Sequence, residues 1–472
     1  MPRPPVLTLA DAERFLYDRL NYERVGDPSA GRTSRYPFRL DRMRSLVRAA
    51  GYGDWLADEP TPSDKSTRRS RRVVHIAGTK GKGSTATILQ SILTAAGHTV
   101  GTYTSPHLEH LTGRFRINGQ PVTPESLIQT IDHLQSSIDR CQIDPDLDRE
   151  VTFFELTTLA AIDLFVKHDC DVVILEVGLG GRLDSTNVFQ TDVAAITSIG
   201  LDHQHILGGD HATIAAEKAG IIKPGQPVFS TARVDDAAAV IRRVAADRSA
   251  RLQMIDRDWT VQSTRREDWG SDITVRHQIT GRTITASLAI EGHHQAINAS
   301  MAVVMADQIF GVDDSAITEG LSRPGPPARL ERWTLPTGQT LILDSSHNAD
   351  SVAALCRVLD HRAADRRRSF VFATSVDKDA AAMLSQILPR ANRLFLTRFA
   401  KNPRAAEPSK LRGFCEGQSS GDASTIHVHC HDDAAEALNA AIESTPADGW
   451  IVICGSFFLA AELRPLCHNP VV

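Results

Sequence analysis

Gly78, Gly81 and Gly83 are interleaved with Lys80, Lys82, Thr79, Ser84 and Thr85 in one short stretch, Gly78-Thr79-Lys80-Gly81-Lys82-Gly83-Ser84-Thr85. Residues of these types can hold a phosphate. Glycine lets backbone N–H groups approach phosphate oxygens, Lys82 supplies a compact cation, and a Ser or Thr hydroxyl can sit beside Mg²⁺. The common P-loop ends in an uninterrupted Gly-Lys-Ser/Thr, whereas here Gly83 separates Lys82 from Ser84. A second signal is Glu176, a carboxylate at the far end of the apolar run Asp171-Val172-Val173-Ile174-Leu175-Glu176-Val177-Gly178. Burying a carboxylate is costly unless it is paired or bound to a cation, and a magnesium ligand is preferred here over a structural ion pair. Polar residues also close the run Leu341-Ile342-Leu343, as Asp344-Ser345-Ser346-His347-Asn348.

The elements around these residues must place them. Val73–Ala77 reads as a strand and Ala86–Leu93 as a helix, so the glycines turn a strand into a helix N-terminus, where the dipole favours an anion. Residues 99–103, 171–178 and 193–199 read as further strands, the last two as buried parallel ones. Residues 8–20, 39–50, 152–167 and 292–309 read as helices, 26–37 as a loop, and 272–289 as alternating strands. A polar stretch at 57–72, with Arg68, Arg69, Arg71 and Arg72, reads as a surface insertion. Ser322–Arg329 carries three prolines and reads as a linker. Beyond it, strands and helices alternate: 340–344, 350–360, 369–373, 379–388, 393–397, 433–444, 450–454 and 457–464. His427, His429 and His431 share one face of a strand, and a solvated edge strand is the reading preferred to a metal site.

Composition sets the class. At 472 residues, 42% hydrophobic and 23% charged, the chain is expected to be globular with two or three domains. A net charge of −5 gives no footprint for nucleic acid or membrane. The N-terminus shows no apolar signal region, and no run approaches a membrane span. Seven scattered cysteines fit reduced thiols, so a cytoplasmic protein is expected, and a monomer.

Gly-Thr-x-Gly-Lys-Gly-Ser resembles the ATP loop of the Mur ligase superfamily, although Lys80 stands where the folate branch usually has asparagine. Glu176-Val177-Gly178-Leu179-Gly180-Gly181-Arg182-Leu183-Asp184-Ser185-Thr186-Asn187 narrows the resemblance to bacterial dihydrofolate synthase/folylpolyglutamate synthases. It implies an α/β fold: a P-loop ATPase-like Mur ligase central domain at 1–322, a hinge at 323–329, and a smaller Rossmann-like C-terminal α/β domain at 330–472. It also implies a ligase that adds L-glutamate to dihydropteroate, to reduced folates or to both, through an acyl phosphate, with ATP bound between the domains.

The resemblance assigns roles residue by residue. Gly78, Thr79, Gly81, Lys82, Gly83, Ser84, Thr85, Asn298, Arg329, Asp344 and His347 would hold ATP. Ser105, Glu176, His203 and Lys218 would ligate two Mg²⁺ ions, Lys218 as a carbamate, and catalysis would rest on Lys82, Lys218, His203 and Glu176. Thr152, Phe154 and Asp184 would line the pterin pocket. This chain departs from the family pattern at Lys80, Ala328, Ser345, Ser346 and Ala349. Two alternatives remain at this point: a Mur-type cell-wall amino-acid ligase, and a nucleotide-binding homologue without ligase activity.

Overall fold

The computed structural model describes residues 8–19, 21, 40–57, 71–140, 151–202, 204–416 and 426–468. The expected loop at 26–37, residues 58–70 of the expected insertion and His203 lie outside them. The chain forms two units, one running to Ala289 and including His293–Pro324, the other comprising Ile290–Gly292 and everything from Gly325 on. No local signal marks Ile290–Gly292 as part of the second unit.

The first unit is built on an eight-stranded sheet. Its strands are β1 (Arg72–Ala77), β2 (Val100–Tyr103), β3 (Phe115–Ile117), β4 (Gln120–Pro121), β5 (Val172–Glu176), β6 (Val193–Ile196), β7 (Pro227–Ser230) and β8 (Arg251–Met254). Their order is β4-β3-β2-β5-β1-β6-β7-β8. The pairings are parallel except at β3 and β4, which form an antiparallel edge. β5 and β6 are buried along their whole lengths, which is why both read as unbroken apolar runs rather than alternating ones. In register, Ile76 lies opposite Glu176 and Ala77 opposite Ile196. The three central strands therefore stop nearly level, and the loops after them share one edge of the sheet. Ligands of open α/β sheets bind at that edge.

The helices that matter for the site are α1 (Leu9–Tyr17), α2 (Leu40–Ala49), α3 (Lys82–Ala95), α4 (Phe153–Lys167), α5 (His211–Ala219) and α6 (His293–Met305). α3 begins at Lys82, one turn earlier than its apolar pattern. α4 is buried nearly all round, and Thr152 caps it through a reciprocal pair of bonds with Glu155. Glu155 is also gripped by the buried Arg42 of α2, at 2.9 Å to each oxygen. Leu16, Met43, Leu46 and Trp55 from the N-terminal elements join Phe153, Leu156 and Phe165 of α4 in one core. Each such side chain contributes roughly 1.5–3 kcal/mol on burial. The alternating segment near 272–289 is part of an antiparallel sheet of β9 (Trp259–Arg265), β10 (Ser271–His277) and β11 (Thr283–Leu288).

The second unit holds β12 (Glu331–Thr334), β13 (Thr340–Leu343), β14 (Arg368–Phe372), β15 (Arg393–Leu396), β16 (His427–Cys430) and β17 (Trp450–Cys454), ordered β12-β13-β17-β14-β15-β16. All pairings are parallel except β12 with β13. Asn348 caps α7 (Ala349–Ala363). The helix Pro408–Glu416 was not expected, because its short pattern carries little periodicity. β16 is an edge strand, and the His429 ring stacks on Phe395 at 5.1 Å. Among the described residues no group of three or more His, Cys, Asp or Glu could hold a metal ion, and no helix is long and apolar enough to cross a membrane.

Candidate active site

The glycines of the loop after β1 are required by their neighbours. Gly78 has φ 147°, and a Cβ there would stand 1.7 Å from Thr197 Oγ1. Gly81 has φ 92°, caps α3, and a Cβ there would stand 2.3 Å from Asn298 Oδ1. Asn298, from α6, thus lies directly against the phosphate-loop candidate. The Thr79 hydroxyl accepts from Gly200 N at 3.1 Å and donates to Gly200 O at 3.2 Å, tying the loop to the chain after β6. Ser198 Oγ donates to Lys80 O at 3.1 Å, so the backbone at the departing residue is held in the same way. Ser84 and Thr85 lie in the first turn of α3, both buried, and the Thr85 hydroxyl has no hydrogen-bond partner among the described residues.

Charged groups converge on this loop. Lys82 Nζ donates to Gly78 O at 3.2 Å, and Lys218 Nζ donates to the same oxygen at 3.0 Å. Lys218 is only 4% exposed. Burial, and then the Lys82 charge, push its ammonium down to about 7, so near neutral pH much of it is free amine. The Glu176 carboxylate faces the first turn of α3: a Cβ on Gly83 would stand 3.4 Å from its Oε2. The same oxygen accepts from Ser105 N at 3.2 Å. One buried carboxylate, with Ser105 bonded to it through its backbone and Ser84 following the Gly83 it faces, suits a hard cation that takes oxygen ligands and completes its shell with water or phosphate. The described residues fit Mg²⁺ in that sense.

Two of the pterin-pocket candidates, Phe154 and Asp184, meet at Gly178, two residues beyond Glu176. The Phe154 ring covers Gly178, where a Cβ would stand 2.5 Å from Cζ. Asp184 accepts four hydrogen bonds: Gly178 N and Leu179 N at 3.0 Å on Oδ2, Thr186 N at 3.0 Å and Thr186 Oγ1 at 2.5 Å on Oδ1. A carboxylate has about four lone-pair sites, and the chain's own donors occupy them. Asp184 therefore builds the turn. The Thr152 hydroxyl is likewise engaged, accepting from Glu155 N at 3.2 Å and donating to Glu155 Oε2 at 2.8 Å. Both residues thus hold local backbone at the positions where the resemblance implies substrate contact.

The remaining candidates lie in the second unit. Asp344, just after β13, accepts from Leu330 N at 2.9 Å and Ser346 N at 2.9 Å, so it fastens the linker to the strand end. Arg329 donates to Ser345 Oγ, a contact supplied by a residue that departs from the family pattern. Ala328 adopts φ 54° and is fully buried. His347 Nδ1 lies 3.0 Å from Ser345 O. Sequence reasoning missed His75 and Thr186, whose side chains meet at 2.8 Å behind Asp184. A histidine inside an otherwise apolar strand was the available signal.

The sequence matches the Mur ligase middle domain over residues 76–306 and the dihydrofolate synthetase C-terminal domain over residues 334–466. It is 32% identical over 433 residues to the dihydrofolate synthase/folylpolyglutamate synthase of Bacillus subtilis, covering 90% of this chain and 94% of that one. The fold is similar to that of E. coli FolC in complex with DHPP and ADP, with a TM-score of 0.80, 27% identity and 99% of each chain covered. It is also similar to Mycobacterium tuberculosis folylpolyglutamate synthase complexed with ADP and AMPPCP, with a TM-score of 0.82, 27% identity and 98% of each chain covered.

Proposed function

Because this chain belongs to the dihydrofolate synthase/folylpolyglutamate synthase family of Mur ligases, we propose that it is an ATP-dependent carbon–nitrogen ligase. It adds L-glutamate to dihydropteroate, to reduced folates or to both, and releases ADP and phosphate. The observation that carries this reading is the convergence of Lys82, Lys218 and Glu176 on the glycine loop, at the carboxyl ends of β1 and β5. The Mur-type cell-wall reading is not favoured, since the B. subtilis relative matches over 90% of this chain.

The loop's backbone N–H groups and the N-terminus of α3 hold phosphate oxygens, with Asn298 packed beside Gly81. The acceptor carboxylate attacks the γ-phosphorus, giving an acyl phosphate and ADP. Lys82 neutralises charge on the transferred phosphoryl group, the kind of stabilisation expected to dominate such chemistry. The glutamate amine then adds to the acyl carbon, and phosphate leaves. Phe154 offers an apolar face to a flat heterocycle, and Asp184 and Thr152 line the same pocket. Mg²⁺, when bound by Glu176 and Ser105 with His203 and carbamylated Lys218, supplies Lewis-acid charge neutralisation. The depressed Lys218 supports the carbamate, because only the neutral amine adds CO₂, with loss of one proton. The family resemblance also assigns Arg329, Asp344 and His347 to nucleotide binding. A cytoplasmic setting, where thiols stay reduced, is part of this reading.

The test is ADP release by the purified protein with Mg²⁺ and L-glutamate, comparing dihydropteroate with tetrahydrofolate. Turnover with both establishes a bifunctional enzyme, and turnover with tetrahydrofolate alone leaves only the polyglutamate activity. ATP binding without glutamate-dependent turnover on either acceptor overturns the reading in favour of a homologue without ligase activity.

A further inference from the structure

Asp184 is surrounded by donors alone: the N–H groups of Gly178, Leu179 and Thr186, and the Thr186 hydroxyl. Burial pushes the Asp184 carboxyl up, but these donors act against it, and no acceptor among the described residues stands ready for a carboxyl proton, so the geometry is that of the ionised form. The single hydrogen of Thr186 Oγ1 is then committed to Asp184. Toward His75 the hydroxyl can only accept, and His75 Nε2, 2.8 Å away, must carry the hydrogen. That assignment leaves His75 Nδ1 bare, and it is indeed buried with no partner among the described residues. Burial also pushes His75 down to about 3, so the ring stays neutral throughout the working range.

We propose that His75, Thr186 and Asp184 form a buried relay that positions the Gly178–Leu179 turn, and through it the acceptor pocket under Phe154. The acceptor half of this inference rests on the function proposed above. His75 and Thr186 are fully buried, so neither touches substrate. Any effect of theirs on acceptor binding must pass through Asp184. The turn begins two residues after Glu176 and carries Gly178, on which the Phe154 ring rests. A shift of this turn therefore moves the acceptor's wall more than the nucleotide loop. His75 and Thr186 are positioning residues that act through Asp184.

The experiment compares Thr186→Val, which removes both roles of the hydroxyl, with Thr186→Ser, which restores them, and His75→Leu with His75→Gln, which restores a donor. Hydrogen exchange at the Gly178 and Leu179 amides reads the relay directly. Steady-state kinetics read its consequence. Expected are a tenfold or greater acceleration of exchange in Thr186→Val and a tenfold or greater rise in acceptor KM, with ATP KM within twofold. Thr186→Ser and His75→Gln return both readouts to within threefold of the parent. Unchanged exchange in a folded Thr186→Val variant overturns the relay. So does an equal rise in ATP and acceptor KM, or failure of both conservative variants to rescue. Faster exchange with unchanged acceptor KM overturns the link to the pocket. A parent enzyme without folate turnover overturns the proposed function and the acceptor half with it, while the exchange measurement still decides the relay.

Discussion

Lys82 and Lys218 donate to one oxygen, the Gly78 carbonyl, at 3.2 and 3.0 Å, from the first turn of α3 and the last turn of α5. Two ammonium groups sharing one acceptor in a buried setting repel one another, and the more buried of the two gives up its proton more readily. Lys218 is that group. Near neutral pH much of Lys218 is therefore free amine.

The first prediction concerns pH. Lys218 is lowered from 10.5 to about 7 by folding, so the folded chain binds its proton less tightly than the unfolded one. The resulting destabilisation is fully present below about pH 7 and is relieved as pH rises toward the unfolded value. Lys218→Met is expected to stabilise the protein most near pH 6, on the order of 2–4 kcal/mol, with the gain shrinking toward pH 10. Thermal melts across this range check it; a gain independent of pH would contradict it.

Glu176 offers a second. Glu176→Gln preserves an oxygen for the Ser105 N–H but removes the charge facing α3. We expect an intact fold, a kcat lower by about 10²–10³ and a raised Mg²⁺ requirement. Glutamate-dependent ADP release over a Mg²⁺ titration is the measurement, and a kcat within threefold of the parent would remove Glu176 from the site.

Gly81→Ala should weaken nucleotide binding by more than tenfold. The new methyl meets Asn298 Oδ1, and φ 92° strains any residue with a Cβ. Adding Asn298→Ala relieves the collision but not the strain, so recovery is expected to be partial. Calorimetric titration with an ATP analogue distinguishes full, partial and absent recovery.

Ala328, one of the departures from the family pattern, takes φ 54°. A left-handed alanine costs roughly 1–2 kcal/mol. Ala328→Gly is therefore expected to stabilise the protein by about 0.5–1 kcal/mol, after the greater chain entropy of unfolded glycine is subtracted. Urea denaturation monitored on the second unit would show a higher midpoint; a lower one would mean that the surrounding contacts favour the methyl.

The apolar runs at β1, β5 and β6 and the glycine turn between β1 and α3 were legible because each is a local pattern: unbroken burial for parallel strands, and backbone freedom where a strand becomes a helix. Glu176 was legible for the opposite reason, as a charge where only apolar residues belong. The order of residues also carried the family motif, and with it the ligase chemistry. What tertiary structure alone decided is how polar atoms are shared. Arg42 grips Glu155, His75 meets Thr186, Ser345 meets Arg329, and Lys218 comes to the oxygen already bonded to Lys82. A hydrogen bond depends on distance and direction between groups far apart in the chain, and no spacing along the sequence encodes either.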